Sequence, residues 1–495
     1  MLIYPSLSLL QAQTIKLIPN APKMVGYLGE PYVFNGQLSI RCLKDTFQNK
    51  GQYQLGIFDG TGISLHSAPA VPVYIQDYLG SPLAYNNNLY LNYSNLYASA
   101  LYEMGVYNNS TVSLLSGSDT NNIGSNYGPK IIYQRKLYFF EYYGGVNQQH
   151  LTRYDGHTIT AIPNPTQKGY CDGYQIIYKN KLYFRYTDYV GSSMLVQLAS
   201  FDGNSFTLYP MPAGARFTGG PFVEYHGDLY FPYTYPNNNS TIAKFDGTTV
   251  SLIPNPLNGT YEGGPIVFND TLFLQYFVGG THHLAKYDGS SVTVVPNPNT
   301  NAGYHEFQKF SFSVSPIIYN HKLYIVYENF GPVYQLAEYN GYGLTIFPNP
   351  DNGGGFFGQP IIYNNKLYRG YATKSHGNHL AVFDGTTTKL IPVLDSAGGL
   401  FPVPSFINYN YKLYFNNNSQ LAYMDEGLPQ QYITIADGNW NNPASWIGAV
   451  VPPATADVII RHNITVTDNS ICNSLKVDPN GRLDVIPGVD LAITH

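Results

Sequence analysis

The sequence predicts an all-β protein: a β-propeller of four-stranded antiparallel blades followed by a small module of β-roll or β-helix type. Three observations carry this. One pattern recurs about every 47 residues, its strands are joined by turns rich in Asn, Asp and Gly, and the composition suits pleated sheet. Of 495 residues, 47 are Tyr and 48 Gly, while only 12% are charged. Aromatic and β-branched residues favour half-buried strands, and Gly, Asn and Pro favour the turns between them.

The opening residues, 1–13, are apolar and end in small residues near Ala12, resembling the tail of a secretory signal peptide without its positive start. An ordinary apolar N-terminal arm is the alternative. The next segment, "TIKLIPN" from Thr14, reads as a strand that belongs to the far end of the repeat.

The repeat is anchored on a leucine: Leu38, Leu89, Leu137, Leu182, Leu229, Leu272, Leu323, Leu367 and Leu413. The intervals of 51, 48, 45, 47, 43, 51, 44 and 46 residues lie in the range of solenoids and propellers. One unit, residues 264–298, divides into "PIVF", "TLFLQY", "LAKY" and "SSVTVVP". The first two are joined by Asn269-Asp270 and the last two by Asp288-Gly289, which read as two-residue type I′ hairpins. Four antiparallel strands per unit describe a propeller blade. Nine blades are expected, or eight if one unit is degenerate. The ninth unit lacks a good fourth strand, so residues 14–18 are expected to pair with residues 420–424 and seal the ring without a bare edge. The propeller then spans 14–431, and 432–495 form a second, β-rich module.

The short turns fall on one face of such a disc and the long, variable loops on the other, as at 43–52, 213–220 and 297–315. Loops on a rigid scaffold are the expected place for binding. Tyr recurs four residues after the anchor at Tyr93, Tyr186, Tyr233, Tyr276, Tyr327 and Tyr371. These read either as packing between blades, with each hydroxyl on a backbone partner, or as an aromatic platform for a ligand. A polar residue precedes the third strand at His150, Gln197, His283, Gln335, His379 and Gln420; Gln in half of these places argues against a metal-binding ring. The acids Asp45, Asp188, Glu262, Glu306 and Glu328 are scattered, and turn chemistry accounts for the Asp-Gly pairs, so no catalytic residue is assigned. Phosphate-loop, nucleophile-elbow and paired-histidine patterns do not occur. "PNP" at 163, 254, 296 and 348 ends the fourth strand. Three cysteines, Cys42, Cys171 and Cys472, read as isolated thiols. No cofactor is expected.

A net charge of −5 and a pI near 6.2 exclude nucleic acid as the expected partner. Without a run of about 20 apolar residues, no membrane-spanning helix is expected. After residue 431 the composition changes, and strands ending at Val477, Val485 and Ile493 suggest stacked rungs. This stretch holds Gly438, Asn439, Trp440, Trp446, Val450 to Pro452, Cys472, Leu475 and Leu483. It resembles a "GNW…W…VVP" module of exported, cell-surface proteins of the Bacteroidota, and the "LYF" and "DG" repeats look, more loosely, like propellers of the same group. The resemblance implies an extracellular or cell-surface protein exported by the type IX route, and a longer protein with a C-terminal sorting domain that engages the export machinery. The leading expectation is a non-catalytic adhesion protein that binds glycans or a surface protein on its long-loop face. A secreted glycosidase or lyase and an architectural spacer are the alternatives.

Overall fold

The computed structural model describes residues 14–47, 50–66, 73–75, 82–95, 102–115, 126–143, 148–190, 193–212, 216–217, 220–235, 240–298, 303–304, 316–329, 333–351, 353–374, 377–391, 405–410, 412–425, 431–446, 451–452, 456–472, 474–479 and 481–493. Two compact units result: Ile15–Ile407 with Tyr414–Tyr423, and Met424–His495 with Met1–Thr14 and Asn408–Leu413.

Nine antiparallel sheets, each following the four-strand blade pattern, are found among the described residues, which settles eight against nine. Blade 4 is representative, with strands Tyr170–Tyr178, Lys181–Val190, Ser193–Phe201 and Phe206–Tyr209. Every anchor leucine lies in a second strand and is at most 2% exposed. Burying a leucine stabilises the fold by roughly 1.5–3 kcal/mol, so nine such positions tie each blade to its neighbours. The two faces of a blade are covered alike: Leu182, Tyr183 and Phe184 point alternately to opposite sides, and all are at most 2% exposed.

The first strands of adjoining blades approach one another, as Asn126–Tyr133 does Tyr170–Tyr178, whereas the fourth strands pack chiefly on their own third strands. The first strands therefore surround the centre. Most break register at one place, for instance between Asp172 and Ile176 and between Phe357 and Ile361, or fall into two pieces. Proline stands at or beside that place at Pro31, Pro129, Pro265 and Pro360, where a missing N–H interrupts the ladder.

In five blades a tyrosine at the end of the first strand joins the blade to the next, whereas two first strands end in Phe34 and Phe268 instead. Tyr85 donates its hydroxyl hydrogen to the carbonyl of Arg135 at 2.9 Å, Tyr133 to Asn180 at 2.8 Å, Tyr178 to Gly227 at 2.6 Å, Tyr225 to Asp270 at 3.0 Å and Tyr319 to Asn365 at 2.7 Å. Each acceptor belongs to the first turn of the following blade. Those turns are the expected type I′ pairs, with positive φ at both residues: 47° and 71° at Asn35-Gly36, 44° and 57° at Lys179-Asn180.

The second turns depart from expectation. Phe58 pairs with Ile63, so the loop has four residues, and only Gly60 has positive φ. Asp59 caps it by accepting the N–H groups of Thr61 at 2.8 Å and Gly62 at 3.0 Å. Asn108 and Asn340 cap their loops in the same way, so a side-chain oxygen is the requirement and the charge is not.

The ring closes as expected. The strand Thr14–Leu17 joins the sheet of Ile407–Tyr409, Lys412–Asn417 and Gln420–Asp425, and the N–H of Ile18 donates to the carbonyl of Leu421 at 2.8 Å.

The C-terminal module is a coil of short parallel strands. Ser474–Val477, Arg482–Val485 and Leu491–Ile493 end where expected but do not stack on one another. Each pairs with a strand one coil earlier: Asp457–Ile460, Asn463–Val466 and Ser470–Cys472. A corner explains the difference: the Gly481 N–H bonds the Asp478 carbonyl at 2.8 Å and turns the chain onto a new side. Trp440 and Trp446 meet edge to face at 5.2 Å in its core, and the Trp446 indole donates to the Trp440 carbonyl.

Replacing Tyr133 by Phe removes one inter-blade bond and is expected to lower stability by about 1 kcal/mol. Ile18→Pro deletes the closing donor and is expected to cost more, about 3 kcal/mol. Chemical denaturation of the two variants checks this ranking; equal midpoints would mean that the ring is not held at its seam.

Candidate functional site

The tyrosines four residues after the anchor form no surface. Tyr186, Tyr233, Tyr276, Tyr327 and Tyr371 are all 0% exposed, and the Tyr93 side chain lies outside the described residues. The hydroxyls of Tyr186, Tyr233, Tyr276 and Tyr371 hold the connections between blades. Tyr233 donates to the Pro212 carbonyl at 2.7 Å. Tyr276 donates to Asn255 Oδ1 at 2.6 Å and accepts the Gly259 N–H at 2.8 Å. Tyr186 meets Thr166, and Tyr371 donates to Asp351. The expected ligand platform is thus corrected to packing: residues on the second strand, covered by a blade on either side, have no route to a ligand.

The "PNP" asparagines, unremarked in the sequence, complete these connections. Asn164 donates to the carbonyls of Gln149 and Gly169, Asn255 to that of Gly259, Asn297 to that of His282, and Asn349 to those of Tyr334 and Gly354. Their fixed place between two prolines was the available signal.

The polar residues expected before the third strand lie within it, each beside a second-strand residue: His150 opposite Glu141, Gln197 opposite Tyr186, His283 opposite Tyr276, His379 opposite Tyr371. Gln335 donates to the Phe347 carbonyl at 3.3 Å, closing the fourth strand. Burial holds His150 and His283 below the usual histidine range. Among the described residues no three His, Cys, Asp or Glu side chains gather as a metal site.

Of the scattered acids, Asp188 accepts the Thr166 hydroxyl at 2.8 Å. Glu306 and the side chains of Asp45, Glu262 and Glu328 lie outside the described residues, as do most of 213–220 and 297–315; the long loop expected at 43–52 is instead the meeting of the paired strands Gln37–Phe47 and Lys50–Phe58. The three cysteines are buried and free, and burial pushes the Cys42 thiol up to about 12, which keeps it unreactive.

One acid stands where the repeat has tyrosine. Glu141 occupies the Tyr186-equivalent position of blade 3 and is 3% exposed. Burial raises its carboxyl to about 7, and the Thr152 hydroxyl opposes this only in part.

The feature that faces open space is a ring on the first strands. Val33, Ala84, Ile132, Ile177, Glu224, Val267, Ile318 and Ile362 each pair with an anchor leucine and point to the same side. The leucines are covered by the neighbouring blade. Their partners lie one strand nearer the axis, beyond that cover, and Val33, Ile132, Ile177, Ile318 and Ile362 are 37–41% exposed. They border the central channel next to the short turns. Seven of these eight positions are aliphatic and one, Glu224, is acidic. In the sequence "PIVF" is legible only as the first strand of a unit, because exposure at an inner sheet edge has no local mark.

No known family model and no curated protein matches this chain. Several solved propellers are similar to it. One is the propeller domain of the Trilobed protease from Pyrococcus furiosus, 12% identical with a TM-score of 0.36, covering 66% of this chain and 99% of that one. A puromycin-hydrolyzing peptidase of Mycobacterium tuberculosis is 8% identical with a TM-score of 0.39, covering 85% and 62%. A puromycin hydrolase is 9% identical with a TM-score of 0.38, covering 68% and 58%. The chain thus spans less than two thirds of the two whole hydrolases, and the likeness is one of fold. The expectation of a non-catalytic adhesion or glycan-binding protein is corrected, together with its alternative of a secreted glycosidase or lyase. The similar propellers belong to peptidases and hydrolases of puromycin, and the tyrosines that were to bind are core.

Because Glu141 is held above the usual carboxylate range, the folded state keeps its proton longer than the unfolded one. Its contribution to stability is therefore lost as pH rises from about 4.5 to about 7. By linkage this is worth about 3 kcal/mol. Glu141→Gln is expected to match the wild type at low pH and exceed it above pH 7, as urea melts at pH 4.5 and pH 8 would read. Tyr276→Phe, which removes the hydroxyl between Asn255 Oδ1 and the Gly259 N–H but leaves that N–H its bond to Asn255, is expected to cost about 1 kcal/mol in the same melts.

Proposed function

We propose that the propeller is the substrate-admitting part of a peptidase-type hydrolase, and that its central channel takes up extended polypeptide segments. The observation that carries this is the ring of aliphatic side chains at Val33, Ile132, Ile177, Val267, Ile318 and Ile362. A concave ring of exposed aliphatics gains free energy by burying apolar side chains, at about 25 cal/mol per Å². It selects for a chain thin enough to enter, since folded proteins keep their apolar side chains inside. Aliphatic surface left 37–41% exposed at five equivalent places by strand pairing is poorly explained by packing, which buries the adjacent leucines and tyrosines completely. The likeness of the Trp440–Trp446 module to exported Bacteroidota proteins supports placing this hydrolase outside the cell, with type IX export machinery as a partner.

Fluorescence anisotropy with labelled unstructured peptides tests the reading. A Leu- and Val-rich peptide is expected to bind, and a Ser- and Glu-rich peptide of equal length is not. Ile177→Asp with Ile318→Asp is expected to weaken the apolar peptide by about tenfold or more, the loss of one or two buried aliphatic contacts. Equal binding of both peptides, or unchanged binding by the double variant, would overturn the channel as the site.

A further inference from the structure

We propose that Glu224 sets the specificity of the central channel, selecting apolar polypeptide segments that carry one cationic group; this rests on the channel being the binding site. In blade 5 the strand Val223–Tyr225 pairs Glu224 with the anchor Leu229. The blades on either side pair Ile177 with Leu182 and Val267 with Leu272. The same register therefore sets a carboxylate where both neighbours set an aliphatic side chain. Glu224 is exposed, and it makes no hydrogen bond or ion pair among the described residues. The cations and the histidine of the adjoining elements are engaged elsewhere. Lys244 pairs with Asp228 at 2.8 Å, and Lys179 donates to the Asp246 carbonyl at 2.9 Å. His226, two residues further on, meets Asp270 at 2.6 Å. A merely solvated surface would be polar at several of these places, yet seven of the eight are aliphatic.

A carboxylate between aliphatic walls acts differently from one on an open surface. The walls keep water from its sides and concentrate its field into the channel, so a passing cation is attracted and an anion repelled. The aliphatic ring alone cannot tell one apolar segment from another, because burial of apolar surface has no direction. With Glu224 the ring reads two properties at one level: apolar side chains against the aliphatics, and a Lys, Arg or N-terminal ammonium against the carboxylate. Segments with Asp or Glu at that level are turned away by like charge, which adds discrimination that contact by itself does not give. Standing on a single blade, the charge also gives a bound segment one preferred rotation about the axis.

Fluorescence anisotropy tests this with three N-acetylated peptides that share one Leu- and Val-rich sequence and carry Gln, Lys or Glu at one central position. The Lys peptide is expected to bind about fivefold more tightly than the Gln peptide, and the Glu peptide more weakly than either. Salt is expected to close the gap, since the screening length falls from about 30 Å at 0.01 M to about 3 Å at 1 M. Glu224→Gln is expected to bring the three affinities together, and Glu224→Lys to reverse their order. That reversal separates an effect of charge from a damaged fold, which weakens all three peptides alike. The Gln peptide with a free N-terminus identifies the source of the cation. A gain equal to that of Lys assigns Glu224 to chain ends, and no gain assigns it to Lys and Arg side chains. Lys and Gln peptides that bind the wild type alike, or a preference that survives Glu224→Gln, overturn the role of Glu224 and leave the channel as the binding site. Failure of all three peptides to bind overturns the channel and the role of Glu224 together.

Discussion

The tyrosine hydroxyl that most first strands offer to the next blade's turn is the contact on which the propeller's order depends. A blade has two apolar faces and cannot bury either alone, so it is stable only between neighbours. Hydrophobic contact brings blades together without fixing their angle. The bond from Tyr133 to the Asn180 carbonyl, and its equivalents at Tyr85, Tyr178, Tyr225 and Tyr319, fixes it. The acceptor carbonyl is presented by a type I′ turn, whose positive φ values turn the peptide toward the neighbour. The Asn and Gly of those turns and the Tyr of the strand are thus parts of one device.

This device determines where function can lie. Tyrosines on the second strand are enclosed by adjacent blades and braced by the connections of the "PNP" asparagines, which leaves them no ligand to meet. The same enclosure stops one strand short of the axis. There the repeat still supplies aliphatic residues, because the strand alternates, but the neighbouring blade no longer covers them. An apolar ring around the channel is the geometrical consequence of nine blades meeting at an axis. Glu141 shows the opposite case, a polar side chain placed by the repeat where cover is complete; its raised affinity for a proton is the result.

The C-terminal coil follows another rule. Its strands are parallel and each layer rests on the next, so a coil of this kind always has an outermost layer to be covered. The propeller avoids that problem by closing on itself through residues 14–18.

Much of the fold was legible in the chain. Leucine at intervals near 47, Asn and Gly at the first turns and the strand-like residues 14–18 name the blade, its hairpins and its seam, because each is a local requirement of strand pairing. The ends of the last three strands of the coil were likewise visible as alternation. Less was visible of the second turns, where "DG" suits two loop lengths and the capping Asp decides only when the register is set. Stacking in the coil was misjudged because a corner within one coil and a step to the next coil look alike at eight-residue spacing. The candidate site was hardest to see. By itself the sequence determined which side chains alternate on each strand; only the tertiary structure decided which of them are covered, since cover depends on how near a strand lies to the axis where the blades meet.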